Sequence, residues 1–130
     1  MNEVYEFLKK CGTFYLATVD GQKPRVRPFG AVNVFEDKLY IQTGKAKSVS
    51  KQMQENPYIE ISGMAEGKWI RLEAKVVRDE RREAKSAMLD ENPELRGMYS
   101  EDDDNTEVLY LTDAKAYICS FTEPTIEYNF

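Results

Sequence analysis

The sequence predicts a mainly β fold, a small antiparallel barrel with a few flanking helices. Three observations predict it. Short aromatic and β-branched runs recur between turn signals, giving six or seven strands in antiparallel succession. Strands and helices do not alternate in the manner that builds a doubly wound parallel sheet. A chain of 130 residues has room for one core but many strand edges to hide, and a barrel hides them by closing on itself.

Taken in order, Val4, Tyr5, Leu8 and Cys11 recur at helical spacing behind Asn2, a natural N-cap, and Gly12 ends the run. "TFYLATV" reads as a strand, Asp20-Gly21 in "DGQKP" supplies hairpin turn chemistry, and "RVRPFGAVNVF" resumes the extended pattern. "EDK" turns the chain into "LYIQT", after which Gly44 breaks the strand. Lys45 to Gln54 then predicts a helix with Val49 and Met53 on one face, stopped by Asn56-Pro57. "YIEIS", a "GMAEGK" turn and "WIRLEAKVV" follow as two strands, the second placing Trp69, Arg71 and Glu73 opposite Ile70, Leu72 and Ala74. "DERREAKSAMLDENPELRGMYS" is helical in composition, with Ala84, Ala87 and Met88 at core spacing and Asn92-Pro93 as punctuation. After the acidic loop "EDDDNTE", "VLYLT" and "AKAYICSFT" predict two closing strands, and "EPTIEYNF" carries three apolar anchors expected to pack. Residues 1–130 are expected to form a single domain.

The chain contains no histidine. That removes Ser-His-Asp and Cys-His nucleophile systems and the commonest transition-metal ligand, so difficult chemistry would have to come from a cofactor. Cys11 and Cys119 lie far apart and outside any CxxC spacing, which points to buried thiols and not to a disulfide framework or a zinc site. The acidic loop lacks EF-hand spacing, so no metal site is expected. No apolar run is long enough to cross a bilayer, and "MNEVYEFLKKCG" carries acids where a signal peptide would be basic and then apolar. A soluble, cytoplasmic protein is the expectation, with no membrane partner.

Formal net charge is −5, yet from Gly21 to Lys51 seven basic residues (Lys23, Arg25, Arg27, Lys38, Lys45, Lys47, Lys51) face only Glu36 and Asp37. That segment is +5 and the remainder −10. An acidic chain of this kind repels nucleic acid, but a local basic patch suits a small anion such as phosphate. Arg25 and Arg27, two apart on a strand, share a face with Phe29. Lys45, Lys47, Ser48 and Lys51 occupy the loop and opening turns of the next helix, whose unpaired amides and dipole favour anions. Neither GxxxxGK[ST] nor GxGxxG occurs, so this phosphate cradle is of another kind.

The order of these words resembles a family, the pyridoxamine 5′-phosphate oxidase-like flavoproteins. The likeness runs from "FYLATVDGQKPRVRPFG" through "LYIQTGKAKSVSKQMQENPYIEIS" to "WIRLEAKVV". It implies a split β-barrel of Greek-key type with FMN as cofactor. By resemblance, Arg27 reaches the FMN phosphate, Pro28, Phe29 and Gly30 run along the isoalloxazine ring, and Gln42 and Thr43 meet the ring or ribityl chain. Lys47, Ser48 and Lys51 complete the phosphate site, with Lys45 as a third lysine competing for it, and Arg25 lies on the correct face. The true oxidases carry a longer substrate segment with Trp and Arg-x-His, which this chain lacks. The nitroimidazole-reductase-like members carry a histidine without counterpart here. A generic FMN protein of the short branch remains. In this family the flavin sits between two subunits, which implies a homodimer and an aromatic, from among Trp69, Tyr128 and Phe130, supplied by the partner chain; Trp69 on its own pattern reads as partial core.

Two functions follow. One is an FMN-dependent oxidoreductase that acts on a small molecule with an electron donor, no side chain being assigned as catalytic. The alternative is a module that holds FMN or another phosphorylated ligand without turnover. A barrel binding single-stranded nucleic acid through Arg25, Arg27, Tyr15 and Phe29 is the weakest reading, because one small basic patch gives little attraction along a strand.

Overall fold

Alternation decides which side of each strand goes inward. In β1 (Phe14–Asp20), Phe14, Leu16 and Thr18 are buried while Tyr15 and Val19 stand outside. The same two-residue period buries Ile59 and Ile61 in β5 (Tyr58–Ala65) and Ile70, Leu72 and Ala74 in β6 (Lys68–Asp79). The computed structural model describes residues 1–130. Its other elements are α1 (Asn2–Cys11), β2 (Lys23–Phe29), β3 (Val32–Phe35), β4 (Lys38–Gly44), α2 (Ser48–Glu55), α3 (Arg82–Glu91), a 3₁₀ turn (Pro93–Gly97), β7 (Thr106–Cys119) and β8 (Ile126–Asn129).

The strands form one antiparallel sheet in the order β2-β1-β5-β6-β7-β4-β3, with β8 added to β7. The two end strands, β2 and β3, are consecutive in the chain and joined by Gly30 and Ala31, yet share no ladder. The sheet therefore curls into a barrel with one open seam, the split barrel expected. Inside lies a core that includes Leu8, Phe14, Leu16, Leu39, Ile41, Ile61, Ile70 and Leu72, each fully buried. Burying each such side chain contributes about 1.5–3 kcal/mol.

There are eight strands where six or seven were expected. "RVRPFGAVNVF" divides at Gly30-Ala31, and the last apolar residues form β8, which pairs Ile126 to Asn129 with Ile118 to Lys115. In the other direction, "VLYLT" and "AKAYICSFT" are one strand of 14 residues. Asp113, with φ of 50°, has a turn-like backbone, but the β6 ladder continues on both sides of it and absorbs the irregularity as a register shift between Glu73 and Lys75.

Helix boundaries also move. Asn2 is inside α1 and gives no side-chain cap, whereas Gly12, at φ 71°, ends the helix as expected. α2 begins at Ser48 and not at Lys45, because Asn105 captures the loop: its carbonyl accepts from the Lys45 amide at 2.7 Å and its Oδ1 from the Ala46 amide at 2.9 Å. In α3, Ala84 and Met88 are buried as expected, but Ala87 is half-buried and Leu89 takes the core position. Asp79 anchors the entry to α3, accepting from the Arg81 amide at 3.1 Å, from the Arg81 guanidinium and from the Tyr40 hydroxyl at 2.7 Å. The Arg81 bonds, opposed by burial and helped by Tyr40, hold its carboxyl down at about 2. Cys11 and Cys119 are free thiols, each half-buried and not fully buried as expected. Tyr128 and Phe130 pack at the core margin, while Ile126 is half exposed. Trp69 is half-buried, with its ring 4.8 Å from that of exposed Phe121.

Candidate functional site

The register of β1 with β2 sets Arg25, Arg27 and Phe29 opposite Thr18, Leu16 and Phe14, so all six side chains share the inner face. Arg27 is half-buried there. Its guanidinium donates to the Leu16 carbonyl at 3.2 Å, to Thr18 Oγ1 at 2.8 Å and to Gln52 Oε1 at 2.6 Å. All three acceptors are neutral, and no carboxylate lies within ion-pairing distance of Arg27. Burial, and then the charge of Arg25, push its pKa down from the usual arginine value. Arg25 is exposed and spends its charge on Asp20, 3.1 Å away. Of the two arginines, Arg27 is the one with uncompensated charge.

α2 brings a second source of positive potential. Lys47 occupies its N-cap with extended backbone and no capping side chain, and the first-turn amides of Ser48 and Val49 find no acceptor in the chain. Such orphan amides lie at the positive end of the helix dipole. Lys45 is drawn away to Glu80 at 2.8 Å, whereas Lys47 and Lys51 are exposed and pair with no acid. Beneath the helix, Arg78 pairs with the buried Glu107 and donates to Ser50 Oγ at 3.3 Å, which ties α2 to β6 and β7.

A cleft of about 180 Å³ opens at the seam between these features. Arg27, Pro28, Phe29 and Gly30 form one wall, Gln42 and Thr43 at the end of β4 form another, and Lys47 closes a third side. Seven of the ten residues singled out in the sequence therefore meet at one place. Arg25, Ser48 and Lys51 are not part of its lining. Gln42 and Thr43 are buried, and the Gln42 amide is turned onto the Thr43 carbonyl at 3.0 Å.

The remaining lining was not foreseen: Ala31, Val49, and a lid edge of Leu95, Met98 and Tyr99 from the segment after α3. Tyr99 closes down on the backbone of Gly44, where a Cβ would meet its hydroxyl at 3.2 Å and Asn105 Nδ2 at 3.0 Å. Asn92-Pro93 marks the break before this segment, but nothing local says toward which strand it folds. Thr18 and Gln52 were also unforeseen. Gln52 follows Ser48 by four residues and so shares its helix face, a spacing that was available to be read.

A larger concavity, about 620 Å³, lies elsewhere, lined from β1, β2, β5 and β6 and by Asp113 of β7. It mixes Lys23 and Lys75 with Glu60, Glu73 and Asp113, so it lacks the one-signed charge of the seam cleft. Exposed Tyr15, Val26, Tyr58 and Met64 are carried by the same strands. No cluster of three or more metal-ligating side chains is present, and no helix is long and apolar enough to cross a membrane.

Compared with known proteins, residues 1–118 match the family model described as pyridoxamine 5′-phosphate oxidase. The chain belongs to this family. A solved member, a NimC/NimA family protein of Clostridium acetobutylicum, is 49% identical over 100% of this chain and 92% of its own, with a TM-score of 0.98. More distant structures share the family's fold. General Stress Protein 26 of Bacillus anthracis is 16% identical with a TM-score of 0.77, covering 98% of this chain and 97% of its own. A pyridoxamine 5′-phosphate oxidase-related, FMN-binding protein of Nostoc punctiforme is 15% identical with a TM-score of 0.66, covering 99% and 95%. No curated protein matches the chain by sequence.

Proposed function

We propose that this protein is an FMN-binding flavoprotein and an oxidoreductase for a small molecule. One observation carries the reading: a half-buried arginine, held only by neutral acceptors, beside the uncapped N-terminus of α2. A terminal phosphate fits this donor set, since a dianion takes charge-assisted bonds from a guanidinium, from orphan amides and from Lys47 together. Pro28 to Gly30 and the Gln42-Thr43 strand end then border the ring system. Bound FMN supplies the redox chemistry, accepting and returning a hydride or electrons. The chain's own residues anchor, orient and shield it.

The cleft lining contains no carboxylate, thiol or imidazole. That observation favours a second reading, a module that holds FMN or another phosphorylated ligand without turnover. An absorption spectrum of the purified protein tests the first step, because flavin bands are expected. Bleaching by NADH or NADPH supports the oxidoreductase; bands that persist with every donor support the module. A colourless protein that takes up no added FMN overturns both flavin readings.

At about 180 Å³ the cleft falls below the roughly 300 Å³ at which ligand pockets usually begin. A second copy seated on the apolar outer strands would complete it, giving a homodimer with FMN at the interface. Light scattering that finds a monomer with flavin bound would refute this. Free thiols persist in reducing compartments, which agrees with a cytoplasmic location.

A further inference from the structure

Arg27 is not simply present at the seam; it is held there from behind. Thr18 Oγ1 and Arg27 Nη2 both lie 2.6 Å from a single atom, Gln52 Oε1, and Thr18 Oγ1 also accepts from Arg27 Nη1 at 2.8 Å. The three side chains close a ring of hydrogen bonds. Thr18 is 2% exposed, so the ring rests on the rigid inner wall of β1. Gln52 is the point at which α2 enters this ring, one turn along from Ser48 and on the same helix face. The ring thus couples the arginine to the helix whose amides are unpaired.

Its chemistry is specific in two ways. Both neighbours donate to Gln52, so an acceptor is required, and a neutral one leaves the positive charge of Arg27 intact. A guanidinium has five N–H groups, and the ring with the Leu16 carbonyl uses three, leaving two for a ligand. A carboxylate in place of Gln52 would make a salt bridge and cancel the charge that an anion needs.

We infer that Gln52, seated on Thr18, is the positioning residue that aims Arg27 at the phosphate group of the ligand and thereby sets the protein's preference for a phosphorylated flavin over its dephosphorylated form. The inference rests on the flavin reading above. It assigns to Gln52 no contact with the ring and no part in electron transfer.

The test is a fluorescence titration of the full-length apoprotein with FMN and with riboflavin, for the wild type, Gln52→Leu and Gln52→Glu. Gln52→Leu keeps the side chain's bulk and removes the acceptor, and it is expected to weaken FMN binding about threefold to tenfold. Gln52→Glu is expected to weaken it more than tenfold. Riboflavin binding should change less than twofold in either, so that the FMN-to-riboflavin preference falls. A purely structural role would lower both affinities together, and that result overturns the inference, as does an unchanged FMN affinity in both variants. Nitrogen NMR of the arginine side chains keeps the two claims apart. Distinct, slowly exchanging Nη signals for Arg27 in the wild type that merge in Gln52→Leu support the positioning role even if no flavin binds, an outcome that would sink the flavin reading alone. Arg27 signals averaged by rotation in the wild type refute the positioning role.

Discussion

Arg27→Ala is the substitution on which the functional proposal stands or falls. Three of the five guanidinium N–H groups are committed to Leu16, Thr18 and Gln52, and two remain. A hydrogen bond to a charged group contributes about 1.5–3 kcal/mol. Losing one raises the FMN dissociation constant at least about tenfold, and losing both at the lower value, about 3 kcal/mol, raises it more than a hundredfold. Lys47 and the α2 amides survive the change, so binding should weaken and not vanish. Flavin fluorescence quenching measures the constant, and a thermal melt separates lost binding from lost fold. The alanine leaves buried Thr18 and the Leu16 carbonyl short of a partner, a cost of about 1–3 kcal/mol that lowers the melting temperature without unfolding the barrel. Lys38→Ala is the control. Lys38 lies exposed at the other end of β4, over the Tyr110 ring at 5.2 Å, six residues or roughly 20 Å from the Gly44 end that borders the cleft. An unchanged constant in a folded Arg27→Ala variant would remove Arg27 from the site.

Three other outcomes are expected. Asp79 has a folded pKa of about 2 against 3.8 unfolded, so its stabilisation, about 2 kcal/mol, is complete above pH 4 and is lost as the pH falls toward 2; acid unfolding of Asp79→Asn should lack this part of the slope. Reduction of bound FMN by a nicotinamide donor should vary little between about pH 6 and 8, because the cleft lining contains no histidine, carboxylate or thiol, and a steep bell-shaped rate profile near neutrality would contradict this. Gly63→Ala should destabilise the protein by about 1–3 kcal/mol in denaturant unfolding, since the new Cβ would lie 3.0 Å from Cys11 Sγ and 3.2 Å from Phe14 Cβ, and a neutral result would show that α1 shifts freely.

What could be read in advance depended on range. Two-residue alternation located the buried faces of β5 and β6, because burial on a strand is decided by the nearest neighbours. The same logic set Arg25, Arg27 and Phe29 on one face, and the helix opening after β4 pointed to Lys47, whereas the meeting with Gln42 and Thr43 was expected from the family resemblance alone. Long-range pairing was another matter. Asp113 resembles a turn residue, and only the ladder supplied by β6 makes β7 continuous through it. Likewise Tyr99 is placed on the cleft by its approach to Gly44, and Leu95 by packing against the cluster of Ala31, Tyr40, Ala84, Met88 and Val108, contacts that their own neighbours in the chain do not announce. Arg25 has the right face and the wrong partner, since Asp20 lies near enough to take its charge.

β7 is shared along its length in an uneven way. From Thr106 to Tyr110 its second edge belongs to β4, and from Lys115 to Ile118 it belongs to β8, with Phe130 and Ala114 exchanging backbone bonds at 2.6 and 3.0 Å. The half that faces β4 supports the cleft; the other half is covered only by the last four-residue strand. Removing residues 124–130 should therefore bare a row of unpaired amides and carbonyls along Lys115 to Ile118. A shortened chain of this kind would fail by joining others edge to edge, so its loss would be seen as concentration-dependent aggregation.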